Sequence, residues 1–264
     1  MISKSLIKLI KSLKHKKFRE LNKLFVAEGE KIVNDLISSY ADANSFFKIH
    51  SVMATPDWFK NSKILPGKAV ELIEITEDEL KRISLLTTPN KVLALVRIPD
   101  YSLEENFAEK NLSLVLDDIR DPGNLGTIIR IAHWFGITSI ICSENSVDLY
   151  NPKTVQSAMG SLWSVRVFYR ELKPLLRHYF EDTDIPVFGT FLTGSNIYSV
   201  KNTLNGMIVL GNEAHGISRE LEPFIRSRIS IPPFSEKHRP DSINVAQAAA
   251  IICSELRRDQ LIKQ

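Results

Sequence analysis

The run "LSLVLDDI", residues 112–119, is apolar at nearly every position and then ends in two carboxylates. A strand with one face in water alternates apolar and polar residues. A continuous run belongs to a strand covered on both faces, which is the setting of a parallel sheet. The turn "RDPGNLG" follows it directly, and "GNLGTIIRIAHWFG" then takes helical spacing. The pattern repeats to the end of the chain. "TSIICSE" is a short strand. "NPKTVQSAMGSLW" opens a helix, with Asn151 as cap and Pro152 at the first position. "VRVFY", "PVFGTFL" and "GMIVLG" are strands, "SRELEPFIRS" a helix and "RISIPP" a strand. "SINVAQAAAIICSELRRDQLIK" is a long amphipathic helix with Val245, Ala249, Ile252 and Leu256 on one face. Strands alternating with helices predict an α/β fold with a mostly parallel sheet over residues 111–264.

A smaller α/β domain is expected over residues 1–100. Leu6, Leu9, Ile10 and Leu13 fall at helical spacing, and one or two helices run to about residue 40, with a break near "NKLFVAEGE". "FKIHSVMAT" and "AVELIEIT" alternate as strands do. "TEDELKRISLL" carries a capping box, Thr76 with Glu79, and "KVLALVRIP" is a buried strand. The polar stretch over residues 101–110 reads as a linker.

The chain has 264 residues, 44% apolar and 25% charged, which suits a soluble globular protein. No stretch approaches the roughly 20 apolar residues of a membrane span. The basic start lacks the apolar segment of a signal peptide, so a cytoplasmic protein is expected. Cys142 and Cys253 lie in apolar patterns and are expected to be buried. The histidines show no metal-ligand spacing, so no metal is expected. Net charge is only +3, yet residues 1–31 hold nine Lys/Arg against three Glu. Such a cluster is either a solvated helix face or a phosphate-binding surface.

Ligands of open α/β sheets bind at the carboxyl ends of strands. Three loops there carry chemistry. In "RDPGNLGTIIR", Asn124 is placed to cap a helix and Gly126 leaves room for close approach. Arg130 stands among Ile128, Ile129, Ile131 and Ala132, which predicts a partly buried guanidinium aimed at an anion. In "MIVLGNEAHGIS", Gly211, Asn212 and Glu213 follow a buried strand, and a carboxylate there is either catalytic or a helix cap. In "ISIPPFSEKHRPDSINV", Ser242 or Asn244 opens the last helix. Glycine-rich backbone, one Arg and one Glu suit a neutral or cationic cofactor beside a phosphodiester. They suit a nucleoside triphosphate poorly, because no Lys sits in a glycine loop and no carboxylate pair is placed for Mg²⁺.

"NLGTIIR" resembles the first motif, N-x-G-x-x-x-R, of the SpoU (TrmH-like) RNA ribose methyltransferases. "VLGNEAHGIS" resembles their second motif, and "ISIPP" with "SINVAQAAAIICSE" their third. Residues 1–100 resemble the substrate-binding domain found ahead of the catalytic domain in many members. The resemblance implies a SPOUT trefoil knot, S-adenosyl-L-methionine as cofactor, a homodimer with its active site at the interface, and methyl transfer to a ribose 2′-hydroxyl of rRNA or tRNA. It assigns Asn124, Arg130, Glu213, Ser242 and Asn244 to the active site. It assigns Thr190, Leu192, Gly211, Ile231 and Ile243 to the cofactor. With RNA as substrate, Lys11, Lys14, Lys16, Lys17 and Arg19 become candidates for phosphate contact. The third motif departs from the family: "PFSEKHRPD" is longer than the usual loop and has no glycine, and S-L-N is S-I-N. That change bears on cofactor affinity. It keeps open a non-catalytic RNA-binding protein that retains the fold, and a plain nucleotide-binding α/β domain stands as a second alternative.

Overall fold

The computed structural model describes residues 2–42, 45–62, 70–201, 203–235 and 241–262. It contains two compact units. One is Met1–Ser102 together with Asp148–Trp163, the other Leu103–Val147 together with Ser164–Gln264. The first boundary falls close to the expected residue 100. The stretch Asp148–Trp163 was expected to belong with the residues around it and instead completes the first unit.

The first unit runs α1 (Lys4–Ser12), α2 (Lys16–Asn22), β1 (Leu24–Glu28), α3 (Glu30–Tyr40), β2 (Lys48–Ala54), α4 (Pro56–Asn61), β3 (Glu71–Glu74), α5 (Glu77–Ile83) and β4 (Val92–Arg97). The sheet order is β1-β4-β2-β3, parallel only between β2 and β3. The capping box at α5 is present, with Thr76 Oγ1 accepting from Glu79 N at 3.2 Å. The break near "NKLFVAEGE" is the strand β1. Its five residues are all buried, so it shows no alternation to mark it.

Successive side chains of a strand point to opposite faces, and both faces of this sheet are covered. Leu24, Val26, Leu93 and Leu95 pack with Ile10 and Leu13 of the first helical segment and Leu80 and Ile83 of α5. On the other side, the Phe25 ring lies 4.5 Å from Tyr150 and 6.3 Å from Trp163, and Phe47 lies 4.9 Å from Trp163. Trp163 Nε1 donates to Ile32 O at 3.1 Å. The Asp148–Trp163 stretch, with α8 (Pro152–Ala158) inside it, therefore belongs to the first unit's core, together with α3, which contacts β1, β2 and β4.

Arg19 fastens this stretch. It is 3% exposed, donates through Nε to Asp148 Oδ2 at 3.0 Å and through Nη2 to the same oxygen, and gives Nη1 to Leu13 O and Lys14 O at 2.7 and 2.9 Å. Arg19 was a candidate for RNA contact. Burial and four committed hydrogen bonds remove it from that role.

The second unit runs α6 (Phe107–Lys110), β5 (Leu112–Leu116), α7 (Pro122–Trp134), β6 (Ser139–Ser143), β7 (Arg166–Arg170), α9 (Leu172–Asp182), β8 (Val187–Asn196), β9 (Gly206–Leu210), β10 (Ser227–Ser230) and α10 (Val245–Leu261). The six-stranded sheet has the order β10-β8-β9-β5-β6-β7, and every pair is parallel. The expected 101–110 linker is not free chain: Phe107 and Ala108 of α6 bury into a cluster with Val115, Val187 and Tyr179. "SRELEPFIRS" is not a helix but turns with one 3₁₀ turn at Glu222–Phe224, as Pro223 would end any longer helix. Helix α9 went unmarked in the sequence reading and covers the sheet with Leu172, Leu176 and Tyr179. Both cysteines are buried. Among the described residues, no helix is long and apolar enough to cross a membrane.

Removing one partner of a buried ion pair leaves an uncompensated charge, at a cost of about 3–5 kcal/mol. Arg19→Ala should lose about that much stability in a urea titration. Asp148→Asn in the same background should add little, because the two act as one interaction. Additive losses would contradict the clasp.

Candidate active site

Three loops at the carboxyl ends of β5, β9 and β10 build the site, and side-chain hydrogen bonds tie them together. Asn244 is the N-cap of α10, and its Oδ1 accepts from Ala246 N at 2.9 Å and Gln247 N at 3.4 Å. With the oxygen committed to the helix, the amide hydrogens face outward. Nδ2 donates to Asn124 Oδ1 at 3.0 Å. Asn124 then has only its own Nδ2 to offer, and it donates to Glu213 Oε1 at 2.5 Å. The direction of the whole relay follows from the cap at its start.

Asn124 is not the cap of α7, as its position after the turn suggested. Asp121 holds that place and accepts from Asn124 N at 2.9 Å, with Pro122 in the first turn. The substitution of roles matters: a capping Asn124 would have spent its oxygen on the backbone. The N-termini of α7 and α10 meet through the Asn244–Asn124 bond. Helix N-termini carry partial positive charge, which favours the Glu213 carboxylate and any anion brought there.

The Gly211–Ile217 loop folds back on itself. Asn212 N and Gly216 O are 3.0 Å apart, and Gly216 N and Asn212 O 2.8 Å. A Cβ on Gly211 would lie 2.1 Å from Gly216 C, so only glycine fits. Asn212, which the sequence marks only as a loop residue beside Glu213, anchors the loop. Its Nδ2 donates to Asp118 O at 2.8 Å, and its Oδ1 accepts from Ala214 N at 2.8 Å. Asp118 takes φ +55°, a left-handed conformation that aspartate tolerates better than most residues. Asp117 is buried and accepts from Ser218 N at 2.7 Å. The signal for these residues was the paired Asp at the end of an apolar strand.

Arg130 does not join the cluster. It is exposed and makes no hydrogen bond or ion pair among the described residues. The expectation of partial burial fails for a geometric reason. At about 100° per residue, Ile128, Ile129 and Ala132 share the buried side of α7, while Thr127, Arg130 and Trp134 share the outer one. Trp134 is 86% exposed. Ser242 is exposed and makes no hydrogen bond among the described residues. Residues 236–240 of the longer third-motif loop lie outside the described residues.

The candidate cofactor positions surround the same strand ends. Strand β10 pairs with Phe188 and Gly189, then skips to Ser195 and Asn196, so Thr190–Gly194 of β8 bows out of register. Thr190 and Leu192 stand on this bow, and Leu192 is 75% exposed. The Arg228 guanidinium lies 3.6 Å from the Phe191 ring centre and holds the bow from beneath. Ile231 follows β10 directly and is half-buried, and Ile243, beside the α10 cap, is 44% exposed. Exposed apolar side chains beside open loop backbone and one carboxylate fit a ligand with an aromatic ring and a positive charge.

The SpoU rRNA Methylase family model matches residues 111–254, and the MRM3-like substrate binding domain matches residues 4–94. The chain is 27% identical to the 23S rRNA (guanosine(2553)-2′-O)-methyltransferase RlmP of Bacillus subtilis, over 94% of both chains. A TrmH-family structure from Porphyromonas gingivalis superposes with a TM-score of 0.84 at 34% identity, covering 98% of this chain and 99% of that one. The AdoMet-bound rRNA methyltransferase of Sinorhizobium meliloti superposes with a TM-score of 0.82 at 26% identity, covering 98% and 96%. This chain belongs to the SpoU rRNA methylase family.

Proposed function

We infer that this chain is an S-adenosylmethionine-dependent RNA methyltransferase that methylates a ribose 2′-hydroxyl. The observation that carries the reading is the Asn244–Asn124–Glu213 relay, which unites one residue from each of the three family motifs at the strand ends of a parallel sheet. The relatives add the reaction: RlmP bears the name of a 2′-O-methyltransferase of rRNA, and the Sinorhizobium structure holds AdoMet. The named rRNA 2′-O-methyltransferase and the AdoMet-bound structure among its relatives support this reading over an RNA-binding protein that only retains the fold.

The residues present fit S-adenosylmethionine. Leu192, Ile231 and Ile243 offer apolar surface for its adenine, Gly211 and its neighbours offer backbone, and Glu213 offers negative charge toward a sulfonium. When bound, this cofactor supplies an already activated methyl group. The chain's own task is the nucleophile, because a ribose hydroxyl is weak and charge grows on its oxygen as the proton leaves. Arg130 is assigned to that charge and to the adjacent phosphate. A guanidinium serves there as a fixed cation with a planar fork of donors. Asn124, Asn244 and Glu213 hold the loops in register, and Ser242 contacts substrate.

The exposure of Arg130 supports a homodimer. Its side of α7 also presents Trp134, and a second copy on that side would complete a site which one copy leaves open. The trefoil knot of the family belongs to the same reading. The N-terminal lysines supply phosphate contact. Lys14 and Lys17 are exposed, and Lys16 pairs with Glu20 at 3.8 Å on the surface. Lys11 is the weaker candidate, as its Nζ donates to Ser84 O at 2.7 Å.

Arg130→Ala should lower the rate of methyl transfer by about 10²–10³-fold and leave S-adenosylmethionine affinity unchanged. Near-normal turnover in that variant would remove Arg130 from the mechanism. Replacing Lys14, Lys16 and Lys17 together by Ala should flatten the slope of log affinity for RNA against log salt by about 2–3. An unchanged slope would return these lysines to a solvated face.

A further inference from the structure

Arg19 fixes more than the fold of the first unit. Its guanidinium is buried, with bonds to Asp148, Leu13 O and Lys14 O, so the Arg19 side of α2 must face inward. At about 100° per residue, Lys17, Phe18 and Leu21 then share the outward side, with Lys16 and Glu20 on its flank. Their exposure agrees. Phe18 is 39% exposed, Leu21 is 74% exposed, and Lys17 is exposed as well. Phe18 and Leu21 stand one turn apart, so their apolar surfaces are neighbours. The exposed His15 ring meets the Phe18 ring edge-on, with centres 6.4 Å apart.

Single exposed apolar residues are ordinary on a protein surface. This pair differs in being set among charges of one sign. Lys14, Lys16, Lys17 and Lys23 are all exposed, and the acid beside them, Glu20, is paired with Lys16 at 3.8 Å. Such a surface repels a second copy of itself and attracts a polyanion. Cations around an open ring match a single-stranded nucleic acid, whose phosphates take the lysines and whose bases each carry a π-face for the ring. A base inside a duplex has both faces covered by its neighbours and offers none.

We propose that Phe18 is a stacking platform for an unpaired RNA base, with Leu21 extending its apolar surface and Lys14, Lys16 and Lys17 holding the adjoining phosphates. The proposal rests on the RNA-methyltransferase reading for its choice of ligand. Stacking is tolerant of sequence, because every base has such a face, so the platform distinguishes unpaired from paired RNA and not one base from another. Phosphate contacts are open to both forms and carry no sequence information. The short helix thus divides its work. Arg19 sets its rotation, the lysines supply charge, and Phe18 supplies the preference for a single strand.

The test titrates the full chain into a fluorescent single-stranded oligouridine and into a duplex RNA of the same length, over a range of salt. Phe18→Ala should weaken the single strand by about tenfold, the size of one lost stacking contact, and leave the duplex unchanged. The slope of log affinity against log salt should stay as in wild type, because the ring carries no charge. That separates the ring from the lysines. Phe18→Tyr keeps the π-face and should bind as wild type does. Phe18→Leu keeps apolar bulk without that face and should lose as much as Phe18→Ala. These two variants keep the comparison valid if Ala disturbs α2. Equal losses for single strand and duplex would overturn the proposal, as would Leu serving as well as Phe, or no loss at all. S-Adenosylmethionine is titrated into the same samples. Its binding to wild type, with no effect of Phe18 on RNA, would sink the platform alone, whereas its failure to bind wild type would sink the enzymatic reading.

Discussion

The hydrogen-bond relay from Asn244 through Asn124 to Glu213 is the constraint on which the candidate site depends. It begins as an ordinary helix cap. Because Asn244 gives its oxygen to the first turn of α10, its amide hydrogens can only donate outward, and each following group is oriented in turn. Three loops distant in sequence are thereby held in one arrangement. Asp121 makes this possible by taking over the cap of α7. Asn212 supports the same arrangement from behind, by locking the Glu213 loop to Asp118. The carboxylate at the end of the relay sits where two helix N-termini meet, and a negative charge is stabilised there without a buried cation.

Below the site, both units solve one problem, the covering of a sheet on two faces. In the catalytic unit, strands of uniform burial lie side by side in parallel, with α7 and α10 packed together as part of the cover. In the first unit, part of the cover comes from Asp148–Trp163, far along the chain. Its aromatic residues pack on Phe25 and Phe47, and the Arg19–Asp148 pair pins its start. The basic cluster at the N-terminus thus serves two ends. Lys14, Lys16 and Lys17 face solvent, and Arg19 turns inward to fix the fold.

Much of this was legible in the residues alone. Uniform apolar runs gave away the parallel strands, and the glycines and asparagines after them marked the loops. Asn151 with Pro152, Thr76 with Glu79, and Asn244 all stand where capping chemistry puts them. What escaped depends on packing that no local pattern encodes. Five buried residues of β1 show no period, so they read as a break between helices. Arg130 has apolar neighbours in sequence but not on its side of the helix, and sequence adjacency suggested a burial that helical geometry denies. Arg19 looked like one more basic residue until Asp148, 129 positions later, claimed it. Asn212 looked like a loop residue beside a more interesting glutamate, and its role needs Asp118 in place to be seen.

The central claim is that these loops bind S-adenosylmethionine and direct its methyl group to a ribose oxygen. The most direct measurement supplies methyl-labelled cofactor to the purified chain with ribosomal RNA, then digests the product to nucleosides and locates the label by mass spectrometry. The account predicts label on a 2′-O-methylated nucleoside. Label on a base, or no label under conditions where calorimetry also finds no cofactor bound, would contradict it.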